Sequence, residues 1–321
     1  MTSSRQQLID GALPHRKLYE KFMVSTGFRT ESTKKKYGAL LERYIEYLEE
    51  KRITKPDDED PIAFLEYLKT RNGCHSATLQ LYKVILRKFY KWTERRELYP
   101  NLGIELVSEP IERTYKRMEL SVDEAQRLLS HMLGKSNKNI NELRNYTMVC
   151  LILNNGFRTV EVARADIEDL KTEGDATYLY VQRKGHKDKD SCVRLVPDVL
   201  DVLNNYIKAR KGKSGALFIN HGNRKINGRV STTMISRIVK ENLKEIGIVG
   251  KEFTAHSLRH TFATLALANG ASLEEVQDAL GHKSINTTMI YVHTVNKRNN
   301  RSMSLVHAAL SRREAIKEKK E

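Results

Sequence analysis

The sequence predicts a mainly α-helical protein with one small antiparallel β-sheet, divided into two domains. Three observations carry this reading. Apolar residues recur three and four apart over most of the chain, two short β-type runs flank a single basic loop, and a polar, proline-bearing stretch at 107–117 interrupts the helical pattern. At roughly 100–200 residues per domain, a chain of 321 residues can bury two cores.

The first domain is expected over 28–106 and is helical throughout. From Ser32 to Lys51 the apolar positions Tyr37, Leu40, Leu41, Tyr44, Ile45 and Leu48 form one stripe of a helix. Asp60 is placed to cap a second helix with Pro61 in its first position, running to about Lys69 and broken at Gly73. Ser76 is placed to cap a third, whose buried face is Leu79, Tyr82, Ile85, Leu86, Phe89 and Tyr90. Lys83, Arg87, Lys88 and Lys91 point away from that face, as a solvated surface or as a set of phosphate contacts.

The segment Val107 to Lys116 carries Pro110 between two helical patterns, so 107–117 is read as an interdomain linker. The second domain, 118–321, opens on the capping box Ser121-x-x-Glu124, followed by a buried helix from Leu143 to Asn154 that stops at Gly156. Thr177 to Gln182 and Cys192 to Val196 read as a hairpin around the basic loop Lys184 to Lys189. The remainder is helical. From about residue 295 a basic tail holds Met303, Leu305, Val306, Ala309 and Leu310 at the spacing of a short amphipathic helix.

Composition narrows the partner. A formal charge of +16 and a pI near 9.6 favour a polyanion such as nucleic acid. The apolar runs are far shorter than the roughly 18–20 residues that cross a bilayer, and the start MTSSRQQLIDG lacks the apolar core of a secretory signal. A cytoplasmic protein with no membrane partner is expected. Cys74, Cys150 and Cys192 form no C-x-x-C pair and are read as reduced thiols. Gly212-Lys213-Ser214 is not a nucleotide-binding loop, because Ile207 stands where its upstream glycine belongs.

Breaking a phosphodiester without a metal needs a nucleophile, cationic donors for the phosphate oxygens and an acid for the leaving sugar oxygen. The second domain holds such groups. Arg158 follows the Gly156 helix stop and opens a short helix, where anions are favoured. Thr254 is placed to cap a helix on which His256 and Arg259, three apart, share a face. His256 and His260 also have the spacing of a zinc pair, but Ser257 stands where that motif has glutamate. Ser272-x-x-Glu275 is a capping box, Gly281 ends its helix, and His282 follows at the turn. Ser284 is placed to cap the next helix, Ile285 to Val292, which carries Tyr291.

Taken in order, Gly156-Phe157-Arg158-x-x-Glu161, His256-x-x-Arg259-His260-Thr261-Phe262-Ala263-Thr264, and Leu280-Gly281-His282 through Tyr291-x-His293 resemble the catalytic signature of the tyrosine recombinase, or phage integrase, family. Lys184 lies in a hairpin between the first two fragments. The resemblance spans about Leu120 to His293, and the Ser32 to Leu102 helices resemble, less specifically, the family's core-binding domain. Ala255 stands where the family often has proline, and Val160 departs from the commoner arrangement before Glu161. The lead of about thirty residues resembles the two-domain members, with little space for an arm-site domain.

The resemblance implies an N-terminal helical core-binding domain and a mixed α+β catalytic domain clamping the duplex. Tyr291 would attack the scissile phosphate to give a 3′-phosphotyrosyl link and a free 5′-hydroxyl. Arg158 and Arg259 would neutralise the non-bridging oxygens, Lys184 would protonate the leaving oxygen, His256 would assist proton transfer, and His282 would donate to the phosphate. Glu161 is implied as a supporting residue, and Lys83, Arg87, Lys88 and Lys91 as DNA contacts. No metal or cofactor is expected. The implied partner is double-stranded DNA carrying specific sites, with a homotetramer assembled on it at the nucleoid, for integration and excision or for chromosome-dimer resolution. A type IB topoisomerase shares this chemistry, a DNA-binding protein with a decayed site shares the fold, and a basic scaffold shares only the charge.

Overall fold

The computed structural model describes residues 14–28, 30–103, 106, 118–183, 186, 188–212, 214–221, 228–298 and 302–317. The chain divides into two compact units, 1–114 and 115–321. The proposed linker 107–117 lies outside the described residues. Among the described residues, no helix is long and apolar enough to cross a membrane.

The first unit packs α1 (His15–Ser25), α2 (Glu31–Glu50), α3 (Asp60–Asn72) and α4 (Ser76–Glu94) around an aromatic core. The Phe22 ring meets Phe89 and Trp92 edge-on at 5.4 and 5.5 Å, and Tyr44 packs on Phe64 at 5.0 Å. Three tyrosine hydroxyls sealed among these rings are paired: those of Tyr44 and Tyr90 lie 2.8 Å apart, and that of Tyr99 donates to the Pro56 carbonyl at 2.7 Å. The helix α1 is an addition to the sequence reading. It lies before residue 28 and contributes fully buried Leu18 and Phe22.

Two expected caps fall one place out. Asp60 is the first residue inside α3, behind Glu59, and its Oδ2 accepts from the Asp57 N–H at 2.8 Å, bracing the preceding turn instead. Ser76 likewise begins α4, with His75 in the cap position and no side-chain cap. The α3 stop is as read: Gly73 takes a left-handed φ of 58°, which a side chain would strain, though the helix runs on to Asn72 first.

In the second unit the capping box of Ser121 and Glu124 starts α5 (Val122–Ser136). The central helix, α6 (Ile140–Asn155), is buried on nearly all sides from Thr147 to Leu153. After α7 (Thr159–Arg164) comes a three-stranded antiparallel sheet in the order β1 (Leu170–Glu173), β2 (Ala176–Val181), β3 (Ser191–Arg194). Its register pairs Leu170 with Leu179 and Tyr178 with Arg194. The hairpin of β2 and β3 matches expectation. β1 does not appear in the sequence reading, because Leu-Lys-Thr-Glu is an exposed edge with no apolar alternation to detect.

The chain then forms α8 (Pro197–Ala209), α9 (Thr232–Glu245), α10 (Ala255–Ala268), α11 (Leu273–Leu280), α12 (Asn286–Arg298) and α13 (Ser302–Lys317). α12 starts one residue later and ends six residues beyond the expected Val292. Ser284 serves it through its backbone carbonyl, which accepts from the Thr287 N–H at 3.0 Å. Leu151, Leu179, Leu203, Phe218, Val239 and Leu258 lie at the centre of the core, which binds the sheet to the helices on either side of it in sequence.

Candidate active site

The site begins where α6 stops. Gly156 turns the chain at φ 68°, and a Cβ there would lie 2.5 Å from the Phe262 ring, so both backbone and space call for glycine. The turn seats Arg158 at the cap position of α7, with its N–H on Glu161 Oε2 and its Nη1 on Glu161 Oε1, both at 2.8 Å. Glu161 is fully buried. Its carboxylate also faces Arg183 at 3.4 Å and Arg259 at 3.8 Å, so three guanidiniums surround one negative charge. That surplus of positive charge suits an anionic ligand and makes Glu161 costly to remove, since the buried cations would lose their counter-charge.

Arg259 rises from the start of the second turn of α10, whose Thr254 cap accepts from the His256 N–H at 3.2 Å. It is 1% exposed and spends its donors on the ends of two helices. Nη1 reaches the Gly156 carbonyl and Nη2 the Leu280 carbonyl, both at 2.6 Å. Burial first, then Arg158, lowers its pKa to about 9, still cationic at neutral pH. Its Nε is buried and has no hydrogen-bond partner among the described residues, leaving a donor for a phosphate oxygen. Arg158, His256 and Arg259 all line one cleft of about 380 Å³, together with Thr254 and Ser236.

His282 follows Gly281, whose φ of 57° ends α11. Its Nε2 lies 3.2 Å from Arg259 Nη2 and its Nδ1 lies 2.9 Å from the Thr288 hydroxyl. Arginine only donates, so Nε2 accepts and the proton sits on Nδ1, donated to Thr288. Burial, then Arg259, Arg158 and Arg183, depress its pKa to about 4. In this geometry a neutral His282 braces Arg259 and donates from Nδ1 to Thr288.

Tyr291, on α12, is 4% exposed and sits in a small core with Ala263, Val276 and Leu280. Its ring meets His260 edge-on at 5.1 Å and stacks near His282 at 6.4 Å, while His260 meets His256 at 4.7 Å. These ring contacts join the tyrosine to the arginine cluster. Burial raises the Tyr291 pKa, opposed by Arg259 and Arg158.

The structure thus brings Arg158, Glu161, His256, Arg259, His282 and Tyr291 into one neighbourhood. Lys184 lies outside the described residues. Lys83, Arg87, Lys88 and Lys91 belong to the first unit, on the side of α4 opposite its buried face; Lys88 and Lys91 are exposed and Lys88 rides 4.8 Å over the Phe28 ring. Arg183 behind Glu161 escapes sequence reading; His260, read as one of a zinc-spaced pair and within the family motif, packs against Tyr291, and Thr288, given no role by the sequence, bonds His282. Thr288 lies six residues beyond His282, a spacing a histidine–hydroxyl search could test.

The depressed pKa of His282 makes stability depend on pH. A folded pKa of about 4 against an ordinary 6.5 means its contribution to stability is full above pH 6.5 and is lost as pH falls through 4. His282→Gln keeps an acceptor for Arg259 but cannot take up a proton. Thermal denaturation from pH 7 to pH 4 should therefore fall less steeply for the variant than for the parent; parallel curves would mean His282 is not held neutral.

The phage integrase family model matches residues 118–298, and a phage integrase N-terminal SAM-like domain matches 18–99. Tyrosine recombinase XerD of Staphylococcus saprophyticus is 30% identical over 285 residues, covering 86% of this chain and 92% of that protein. Tyrosine recombinase XerH of Campylobacter jejuni is 30% identical over 272 residues, covering 81% and 74%. Among solved structures, the XerH site-specific recombinase in a post-cleavage complex with palindromic difH substrate has a TM-score of 0.70 at 19% identity, over 95% of this chain and 97% of that one. The Tn1549 transposon integrase in complex with transposon right end DNA has a TM-score of 0.67 at 17% identity, over 91% and 100%. The structural likenesses speak to the fold; the family model over 118–298 and the 30% identity to XerD over 86% of the chain speak to descent. On those grounds the chain belongs to the phage integrase family, the tyrosine recombinases.

Proposed function

We propose that this protein is a site-specific recombinase that cleaves and rejoins double-stranded DNA, with Tyr291 as nucleophile. The observation that carries the reading is the buried cluster in which three guanidiniums face one carboxylate beside Tyr291, His260 and His282. A phosphodiester entering there supplies the missing negative charge. Arg158 and Arg259 then stabilise the extra charge that builds on the non-bridging oxygens, where preorganised donors lower the barrier most. Lys184 protonates the leaving 5′-oxygen and His256, in the cleft wall, assists proton transfer. The phosphotyrosyl ester conserves the bond energy, so a 5′-hydroxyl from another strand can reverse the attack without ATP.

The first unit, with 107–117 as its linker to the second, adds phosphate contacts through Lys83, Arg87, Lys88 and Lys91. Exchange between two duplexes calls for four active subunits, hence a homotetramer on DNA, acting in the cytoplasm at the nucleoid. Covalent trapping on genomic DNA flanking the gene should recover the sites, and a nicked duplex bearing one should yield an adduct whose label maps to the peptide of Tyr291. Adduct should form in excess chelator, because the cationic side chains supply the charge that a divalent ion otherwise brings. Cleavage lost in chelator and restored by zinc would return His256 and His260 to the metal reading.

A further inference from the structure

Arg183 lies two residues beyond β2 and immediately precedes Lys184 in the chain, yet it is 5% exposed. Its guanidinium spans three segments. Nη1 lies 3.4 Å from Glu161 Oε1, and Nη2 donates to the carbonyls of Ala279 at 3.1 Å and Asp278 at 3.4 Å, in the last turn of α11. The Asp278 carbonyl also accepts from the Gly281 N–H at 2.8 Å, and the two carbonyls lie at the negative end of the helix dipole, a natural seat for a cation. Gly281 completes the fit: a Cβ there would stand 2.5 Å from Arg183 Nε. The glycine that releases His282 from α11 therefore also makes room for this side chain.

We propose that Arg183 is a positioning residue for strand cleavage: by tying the segment after β2 to Glu161 and to the α11 terminus, it holds Arg158 and His282 in register with each other. The inference rests on the recombinase reading of the same site. Arg183 acts through others. Glu161 orients Arg158, and the α11 terminus delivers His282. A packing residue could fill the same volume, but it would leave the charge at His282 unchanged. His282 is faced by Arg259 and His260 from α10, by Arg158 at the start of α7, by Tyr291 from α12, and by Arg183 from the segment after β2. Removing one of those cations makes His282 easier to protonate.

Three proteins test this on a nicked duplex bearing the mapped site, with single-turnover adduct formation measured at saturating DNA from pH 4 to 8. Arg183→Met keeps the aliphatic stem and drops charge and donors. It should bind the duplex within about twofold of the parent, cleave roughly tenfold to a hundredfold more slowly, as small misplacements near a reacting centre do, and show its acid limb at higher pH. Arg183→Lys keeps the charge but cannot span three partners. It should be slowed yet retain the parent's acid limb. Arg183→Met matching the parent in rate and pH profile overturns the proposal, and so does a slowed variant whose acid limb has not moved, which makes Arg183 a packing residue. Should Arg183→Met fail to fold, by circular dichroism, the lysine variant decides: a rate equal to the parent's overturns the proposal. A parent that binds the duplex but forms no adduct sinks the recombinase reading instead, a result distinct from any of these.

Discussion

Tyr291→Phe should bind its duplex within about twofold of the parent and form no covalent adduct. The substitution removes one oxygen from a ring that is 4% exposed and held by packing against His260 and His282, so the ring stays and the phosphate-binding cluster is undisturbed. A lost buried hydroxyl typically changes stability by only about 1 kcal/mol, too little to unfold a domain. The chemistry depends wholly on that oxygen. Burial holds the phenol protonated, and Arg259 and Arg158 pull the other way, so the arginines proposed to receive the phosphate would also ease ionisation of the proposed nucleophile. A labelled suicide substrate separates the outcomes: label retained by the parent alone places the nucleophile at Tyr291, and equal label on both proteins places it elsewhere in the chain.

The parts of this site that were legible in the sequence are those whose partners lie within one turn. Ser121 with Glu124, Ser272 with Glu275 and the Thr254 cap all form as expected, because each bond closes over two or three residues and needs no tertiary context. Gly156 and Gly281 are legible for the same reason, as left-handed helix stops. Asp60 and Ser76 show the limit of that logic: cap and first helical position differ by one residue, and the same side chains serve in both. What sequence periodicity cannot show is where a long polar side chain goes. Arg183 follows a strand and borders a basic loop, where no periodicity assigns it a face, but it is drawn inward by Glu161, 22 positions earlier, and by carbonyls 95 and 96 positions later. Arg259 reads as a phosphate grip, and its burial under two helix ends becomes visible only when α6 and α11 are brought together.

Truncation after Asn296 should abolish recombination between two sites while leaving half-site binding within about twofold. The helix α13 lies wholly in the removed segment, and its apolar residues are conspicuously uncovered: Met303, Leu305, Val306 and Leu310 are 83%, 64%, 58% and 61% exposed. An isolated exposed leucine is unremarkable, but Met303, Val306 and Leu310, three and four apart, form one stripe that gains by being covered, while Leu305 lies on the other side, so the helix is less amphipathic than its sequence predicts. Packing on its own unit would have buried them. The occupant we propose is a second copy of this chain bound to the adjoining half-site, so the element just after the nucleophile-bearing α12 couples Tyr291 to assembly. Covering even two such side chains contributes on the order of 3 kcal/mol, which is roughly a hundredfold in cooperative occupancy of a full site. The proposed phosphate contacts in both units would remain, so a single subunit should still hold a half-site. Gel shifts on half and full sites, read beside a two-site plasmid assay, discriminate the possibilities. A truncated protein that fills full sites as cooperatively as the parent and still recombines removes α13 from assembly, and loss of half-site binding as well makes the tail part of the subunit's own fold.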